Sequence, residues 1–255
     1  MNRDKIKVRI SDFVELILLN DAQAFGFVKR DSSPNLNAFL NQLIPNLFEL
    51  RKQRRWLIHD SIESAMEFSA DKITQEHVRT YIDTVIDKAY FSDEELNRLE
   101  AWVWLRPNRD KIAIFDEIYE VETEVTGMDF SGCIRSFLNE YARLPQYKRE
   151  MLAFKTELSN AKVSCNTERI MHLTYDDKKY RVVVLDYVYG FLYDQRNFII
   201  CYDTRTGKLK SFFLSGISNS YLIRANMHID DSILDAYREF LESEKFREQE
   251  TYEIK

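Results

Sequence analysis

The chain has 255 residues, 45% of them hydrophobic and 31% charged, and a formal net charge of −6. That length accommodates two domains with separate cores. It contains no apolar run near the ~20 residues of a membrane-spanning helix and no charged-then-apolar leader, so a soluble, cytoplasmic protein without a membrane partner is expected. The negative balance repels a phosphate backbone overall and confines any nucleic-acid contact to local basic clusters.

Lys5 to Ile10 alternates basic and apolar residues, the period of a strand with one buried face, and points Lys5, Lys7 and Arg9 to the other side. Ser11 is placed to cap a following helix with Phe13, Leu16 and Ile17 on its apolar face, ending near Gly26. Ser33-Pro34 reads as the start of a second helix, with Leu36, Phe39, Leu40 and Leu43 at helical spacing. The run Arg51-Lys52-Gln53-Arg54-Arg55 lies beyond it, where Arg54 and Arg55 can grip phosphates or simply face water. Between this block and the next, Val78, Tyr81, Ile82, Val85 and Ile86 predict an amphipathic helix, and Ser92 with Glu95 a capping box.

The order strand, helix, helix then recurs. Ala101 to Arg106 predicts a strand, Ile112, Phe115 and Ile118 a helix closed by Gly127, and Ile134, Phe137, Leu138 and Tyr141 a second helix. Phe137-Leu138-Asn139-Glu140 echoes Phe39-Leu40-Asn41-Gln42, with prolines following at Pro145 and Pro45. Such units resemble the ribbon-helix-helix family, in which two strands pair as an antiparallel ribbon that enters the DNA major groove. The resemblance implies contact residues Lys5, Lys7 and Arg9 in the first copy and Trp102, Trp104 and Arg106 in the second. Indoles are poor partners for duplex base edges but suit stacking with unpaired bases. The same positions also fit a solvated, aggregation-resistant strand face with the tryptophans packed under another element.

From about residue 168 the pattern changes to short strands: 169–175, 180–184, 187–193, 197–202, 208–214 and 217–223, with turns at Asp176-Asp177-Lys178 and Thr206-Gly207. Their number and spacing predict a small closed or nearly closed barrel. Asn197-Phe198-Ile199, and Lys210 to Ile217 further on, resemble the WYL domain, a Sm-like (SH3-like) barrel of bacterial regulators, with Lys210 in place of the usual arginine and Gly216 in place of a second basic residue. The resemblance implies a ligand pocket of Tyr175, Arg181, Asn197, Phe198 and Lys210. Tyr175 and Phe198 fit simple barrel core equally well. One further helix is predicted over Asp231 to Phe246.

The expected fold is therefore α+β: a tandem ribbon-helix-helix-like half at 1–155, a WYL-type barrel at 160–225 and a helical extension at 226–255. Cys133, Cys165 and Cys201 suit reduced core thiols. His59, His77, His172 and His228 are isolated, so neither metal nor other cofactor is expected, and no phosphate loop or nucleophile elbow points to catalysis. The combination of modules resembles the WYL accessory proteins of type VI-D CRISPR systems, which often carry more after the barrel. It implies a non-enzymatic protein that binds single-stranded RNA and modulates an RNA-guided RNase, with that effector nuclease and a second copy of the chain as candidate partners. A ligand-responsive transcriptional regulator binding duplex DNA is the alternative, and a protein-interaction scaffold a third class.

Overall fold

The computed structural model describes residues 5–66, 98–190, 196–248 and 252–253. The predicted helix around Val78 to Ile86 and the Ser92/Glu95 capping box lie outside the described residues. The fold is α+β and divides into two compact units, Met1–Leu144 and Pro145–Lys255. The first unit thus ends ahead of the boundary at 155–160 read from the sequence, and two helices that follow Pro145 belong to the second unit.

The first unit is built on a two-stranded ribbon. Strand β1 (Ile6–Ile10) pairs antiparallel with β2 (Ala101–Leu105), with Ile6 opposite Leu105, Val8 opposite Val103 and Ile10 opposite Ala101. Alternation does the rest: Ile6, Val8, Ile10, Ala101, Val103 and Leu105 are buried, while the residues between them are exposed. Among the described residues each strand is followed by two α-helices, α1 (Asp12–Ala24) and α2 (Leu36–Met66) after β1, and α3 (Ile112–Thr126) and α4 (Phe130–Ala142) after β2. Local chemistry sets the boundaries. The Val14 N–H donates to Ser11 Oγ and the Gly132 N–H to Asp129 Oδ1, capping α1 and α4, and α3 ends at Gly127 in the left-handed conformation (φ +67°).

Three local expectations are corrected. Helix α1 buries Val14, Leu18 and Ala22, in phase with Ile10, and leaves Phe13 and Leu16 exposed. The segment is apolar nearly all round, so periodicity alone could not choose its inner face. Helix α2 starts two residues later than Ser33-Pro34: the Ala38 N–H donates to Asn35 Oδ1, whereas the Ser33 N–H donates to Asp31 Oδ1 and Pro34 bridges to Val28. Pro45 does not end this helix but lies inside it, which breaks the parallel with Pro145, a residue that precedes a new helix.

In the second unit, α5 (Gln146–Ala153) and α6 (Lys155–Thr167) lead into an antiparallel sheet of β3 (Arg169–Tyr175), β4 (Lys178–Val188), β5 (Phe198–Asp203), β6 (Lys208–Phe213) and β7 (Ile217–Asn226), followed by α7 (Asp231–Glu242) and the two-residue β8 (Tyr252–Glu253). The strand order is β7-β3-β4-β5-β6-β8, so the last long strand returns beside the first. Two segments read as separate strands from the sequence are one: β4 runs through a bulge between Val184 and Asp186.

Of the closed or nearly closed barrel expected, the closed form is not seen among the described residues. Among the described residues the sheet is open, with β7 at one edge and β8 bonded to the opposite edge at Lys208 and Leu209. It is nevertheless strongly curled. Tyr175 on β3 and Phe212 on β6 are three strands apart, about 14 Å in a flat sheet, yet their ring centroids are 5.1 Å apart. On the other face Ile170, Val183, Phe198, Ile200 and Leu209 form a core with Ile233, Phe240 and Phe246.

Candidate nucleic-acid interface

The solvent face of the ribbon brings together five of the residues singled out in the sequence. The register places Lys7 opposite Trp104 and Arg9 opposite Trp102. Because Ile6, Val8 and Ile10 and their partners point inward, Lys5, Lys7, Arg9, Trp102 and Trp104 must all point outward. The indoles are 46% and 45% exposed, values that place them on the surface and not under another element. No carboxylate interrupts this face from Lys5 to Ile10 or from Ala101 to Leu105, although exposed Glu100 immediately precedes β2.

Cations and rings alternate along the face. The Lys5 ammonium lies 3.7 Å from the Trp104 ring centroid. That of Lys7 lies 3.7 Å from Trp102 and 4.9 Å from Trp104, and the Arg9 guanidinium carbon lies 5.8 Å from Trp102. At exposed sites each such contact contributes about 0.5–1 kcal/mol. Stacking of a base on an aromatic side chain contributes about 1–3 kcal/mol, so a base can displace an ammonium from the indole and leave that charge to meet a phosphate.

Two asparagines missed in the sequence hold the end of the ribbon. The Arg106 N–H donates to Asn37 Oδ1 (2.7 Å), while Asn41 Nδ2 donates to the Arg106 carbonyl (2.9 Å) and the Asn108 N–H to Asn41 Oδ1 (2.8 Å). Their four-residue spacing puts both on one face of the first turns of α2, and that spacing was the available signal. Arg106 itself is exposed just beyond β2.

Arg54 and Arg55 are not part of this face. Arg55 donates to both oxygens of fully buried Glu122 (2.6 and 3.2 Å), and Arg54 pairs with Glu140. Buried Arg51 joins the same network, bonding Glu122 (3.1 Å), Ser136 (3.0 Å) and Glu140 (3.3 Å) and lying over the Phe137 ring at 4.2 Å. The basic run therefore ties α2 to α3 and α4, because buried carboxylates on those helices take up its charge.

The five residues assigned to a pocket in the second unit do not converge. Tyr175 and Lys210 lie on one sheet face. There the Lys210 ammonium bonds Asp203 (2.8 Å) and lies 4.8 Å from the Tyr180 ring, and Tyr175 packs on Phe212. Alternation places Arg181 and Phe198 on the opposite face, Phe198 in the core with Phe213 and Phe246. Asn197 is buried and fully engaged: its N–H and Nδ2 donate to Glu150 Oε2 (2.8 and 2.7 Å), Nδ2 also donates to the Tyr147 carbonyl (2.8 Å), and Oδ1 accepts from the Gly190 N–H (3.2 Å). Burial raises the Glu150 carboxyl above its ordinary value despite these bonds. Gly216 has a steric reason, since an added Cβ would lie 2.3 Å from Tyr175 Cε2. Beside Arg181, His172 Nδ1 lies 3.0 Å from the Tyr221 hydroxyl, and burial together with Arg181 and Arg205 lowers its basicity.

Among the described residues no group of three or more His, Cys, Asp and Glu could hold a metal ion, and no helix is long and apolar enough to cross a membrane. No protein-family model matches the sequence, and no curated protein matches it. In three dimensions the chain is similar to a solved structure described as a CRISPR Cas-related protein, with a TM-score of 0.67 and 15% identity over 95% of this chain and 72% of the other. At that identity the likeness is one of fold, and an α+β architecture shared with a CRISPR Cas-related protein is the conclusion it supports.

Proposed function

We propose that this protein is a non-enzymatic accessory factor that binds single-stranded RNA through the β1–β2 ribbon and modulates a CRISPR effector nuclease. The observation that carries the reading is the exposed face on which Trp102 and Trp104 alternate with Lys5, Lys7 and Arg9. Cations supply phosphate contacts and steering in a chain whose overall charge is unfavourable. Indoles supply stacking surfaces that only unpaired bases can use, because duplex bases are already stacked on each other. The strand-helix-helix order of both blocks supports a ribbon-helix-helix-like ancestry. The return of β7 beside β3 behind an entering helix supports a Sm-like, WYL-type second unit. The fold shared with a CRISPR Cas-related protein supports the cellular setting.

A second reading rests on a specific observation. A two-stranded antiparallel ribbon has the dimensions that the major groove of duplex DNA admits, which favours a transcriptional regulator. Competition among single-stranded RNA, single-stranded DNA and duplex of equal length, repeated across salt concentrations, separates the two. Single-stranded RNA should displace the others. Preference for duplex would promote the regulator, and absence of binding to all three would remove both readings.

A further inference from the structure

We propose that the ribbon clamps one unpaired base between Trp102 and Trp104, in the space that the Lys7 ammonium holds in the free protein. This inference rests on the RNA-binding reading above and adds to it the number of bases held and the group displaced. Trp102 and Trp104 are two residues apart on one strand face, a spacing of about 7 Å. A flat base in contact with a ring on each side needs two contacts of about 3.5 Å, so the strand repeat itself sets the walls at the right separation. The Lys7 ammonium lies 3.7 Å from the Trp102 ring centroid and 4.9 Å from that of Trp104, within cation–π reach of both rings at once.

Charge selects the occupant. A slot between two indoles attracts a flat or quaternary cation, but Lys5 already lies over Trp104 and Arg9 over Trp102, and Lys7 stays tethered beside them. Those cations disfavour an external cation and favour a base that carries phosphate. When the base enters, stacking on two rings replaces two exposed cation–π contacts. Lys7 swings out with its charge intact and meets the phosphodiester of the same nucleotide.

The full-length chain is titrated with an eight-unit oligonucleotide of abasic ribose phosphates, the same backbone with one central 2-aminopurine, and an ordinary eight-nucleotide single-stranded RNA. The one-base oligonucleotide should bind about tenfold or more tightly than the abasic one, with its 2-aminopurine emission quenched. Trp102→Ala and Trp104→Ala should each abolish that difference, and Trp102→Tyr should restore part of it. Lys7→Met should keep the base-dependent gain while reducing the salt dependence of RNA binding by about one phosphate contact, near 0.7 in the log–log slope. Because both indoles lie outside the core, circular dichroism should show these variants folded. Equal affinity for the abasic and one-base oligonucleotides, with ordinary RNA still bound tightly and in a tryptophan-dependent way, overturns the clamp and leaves RNA binding standing. Absence of binding to ordinary RNA overturns both.

Discussion

Replacing Lys5, Lys7 and Arg9 together with alanine removes three cations from one exposed face and leaves the buried face of the ribbon untouched, because Ile6, Val8 and Ile10 alternate with them. The variant should therefore fold, losing only cation–π contacts of about 0.5–1 kcal/mol each. Its effect on binding is larger and has a signature. Each phosphate contact on a single strand contributes about 0.7 to the negative slope of log affinity against log salt, so three contacts contribute about 2. Between 50 and 200 mM salt the parent chain should then lose about 20-fold more affinity than the triple variant. Fluorescence anisotropy of a labelled single-stranded RNA at four salt concentrations measures both slopes. Parallel lines would show that these cations do not meet phosphates and would refute the interface. A uniform loss of affinity without a slope change would assign them to shape alone, with the same consequence.

Other outcomes probe what holds the interface in place. Glu122→Gln leaves the guanidinium groups of Arg51 and Arg55 facing a neutral amide, and should cost about 3–5 kcal/mol in urea unfolding; a variant as stable as the parent would show the network to be dispensable. Asn41→Ala strips the Arg106 carbonyl and the Asn108 N–H of their bonds and should cost about 1–3 kcal/mol, with faster amide exchange confined to residues around Arg106–Asn108. The Glu150 carboxyl, raised by burial, holds its proton more readily folded than unfolded. Its contribution to stability is therefore greatest below the ordinary value of 4.5 and declines as pH rises from there through the raised folded value. Glu150→Gln should flatten that decline, as read from urea midpoints between about pH 4 and pH 7.

The ribbon was legible because its strands obey a strict period of two and each is flanked by a chemical stop, Ser11 for one and Pro107 for the other. Antiparallel pairing of the two strands was what the ribbon-helix-helix resemblance implied, and the structure forms it within one chain. That Trp102 and Trp104 are exposed did not follow, since large aromatics on a strand fit either side until the register is known. The partners of Arg54 and Arg55 were illegible for a related reason: Glu140 and Glu122 lie about 85 and 70 positions away, beyond any local pattern. In the second unit the hairpins were legible from turn residues and β-branched runs, but the sheet face of each pocket candidate was not. Arg181 and Lys210 fall on opposite faces because of register, and a one-residue slip would have exchanged them. Helices α5 and α6 went unread because their apolar positions are sparse, and α6 is buried against β3, β4 and β7.

Joining both ribbon strands in one polypeptide has a consequence for symmetry. In a two-fold dimer each surface patch is repeated, so any change to one strand appears in its partner as well. Here β1 and β2 are encoded separately, and the ribbon has become chemically two-sided along its length, with ammonium and guanidinium groups on one strand and indoles on the other. Such a ribbon has a direction. On the proposed function, a nucleic-acid strand with distinct 5′ and 3′ ends would meet a different order of groups depending on its polarity, and the ribbon should bind one polarity in preference to the other. Its assembly is also independent of protein concentration, unlike that of a ribbon formed between two subunits.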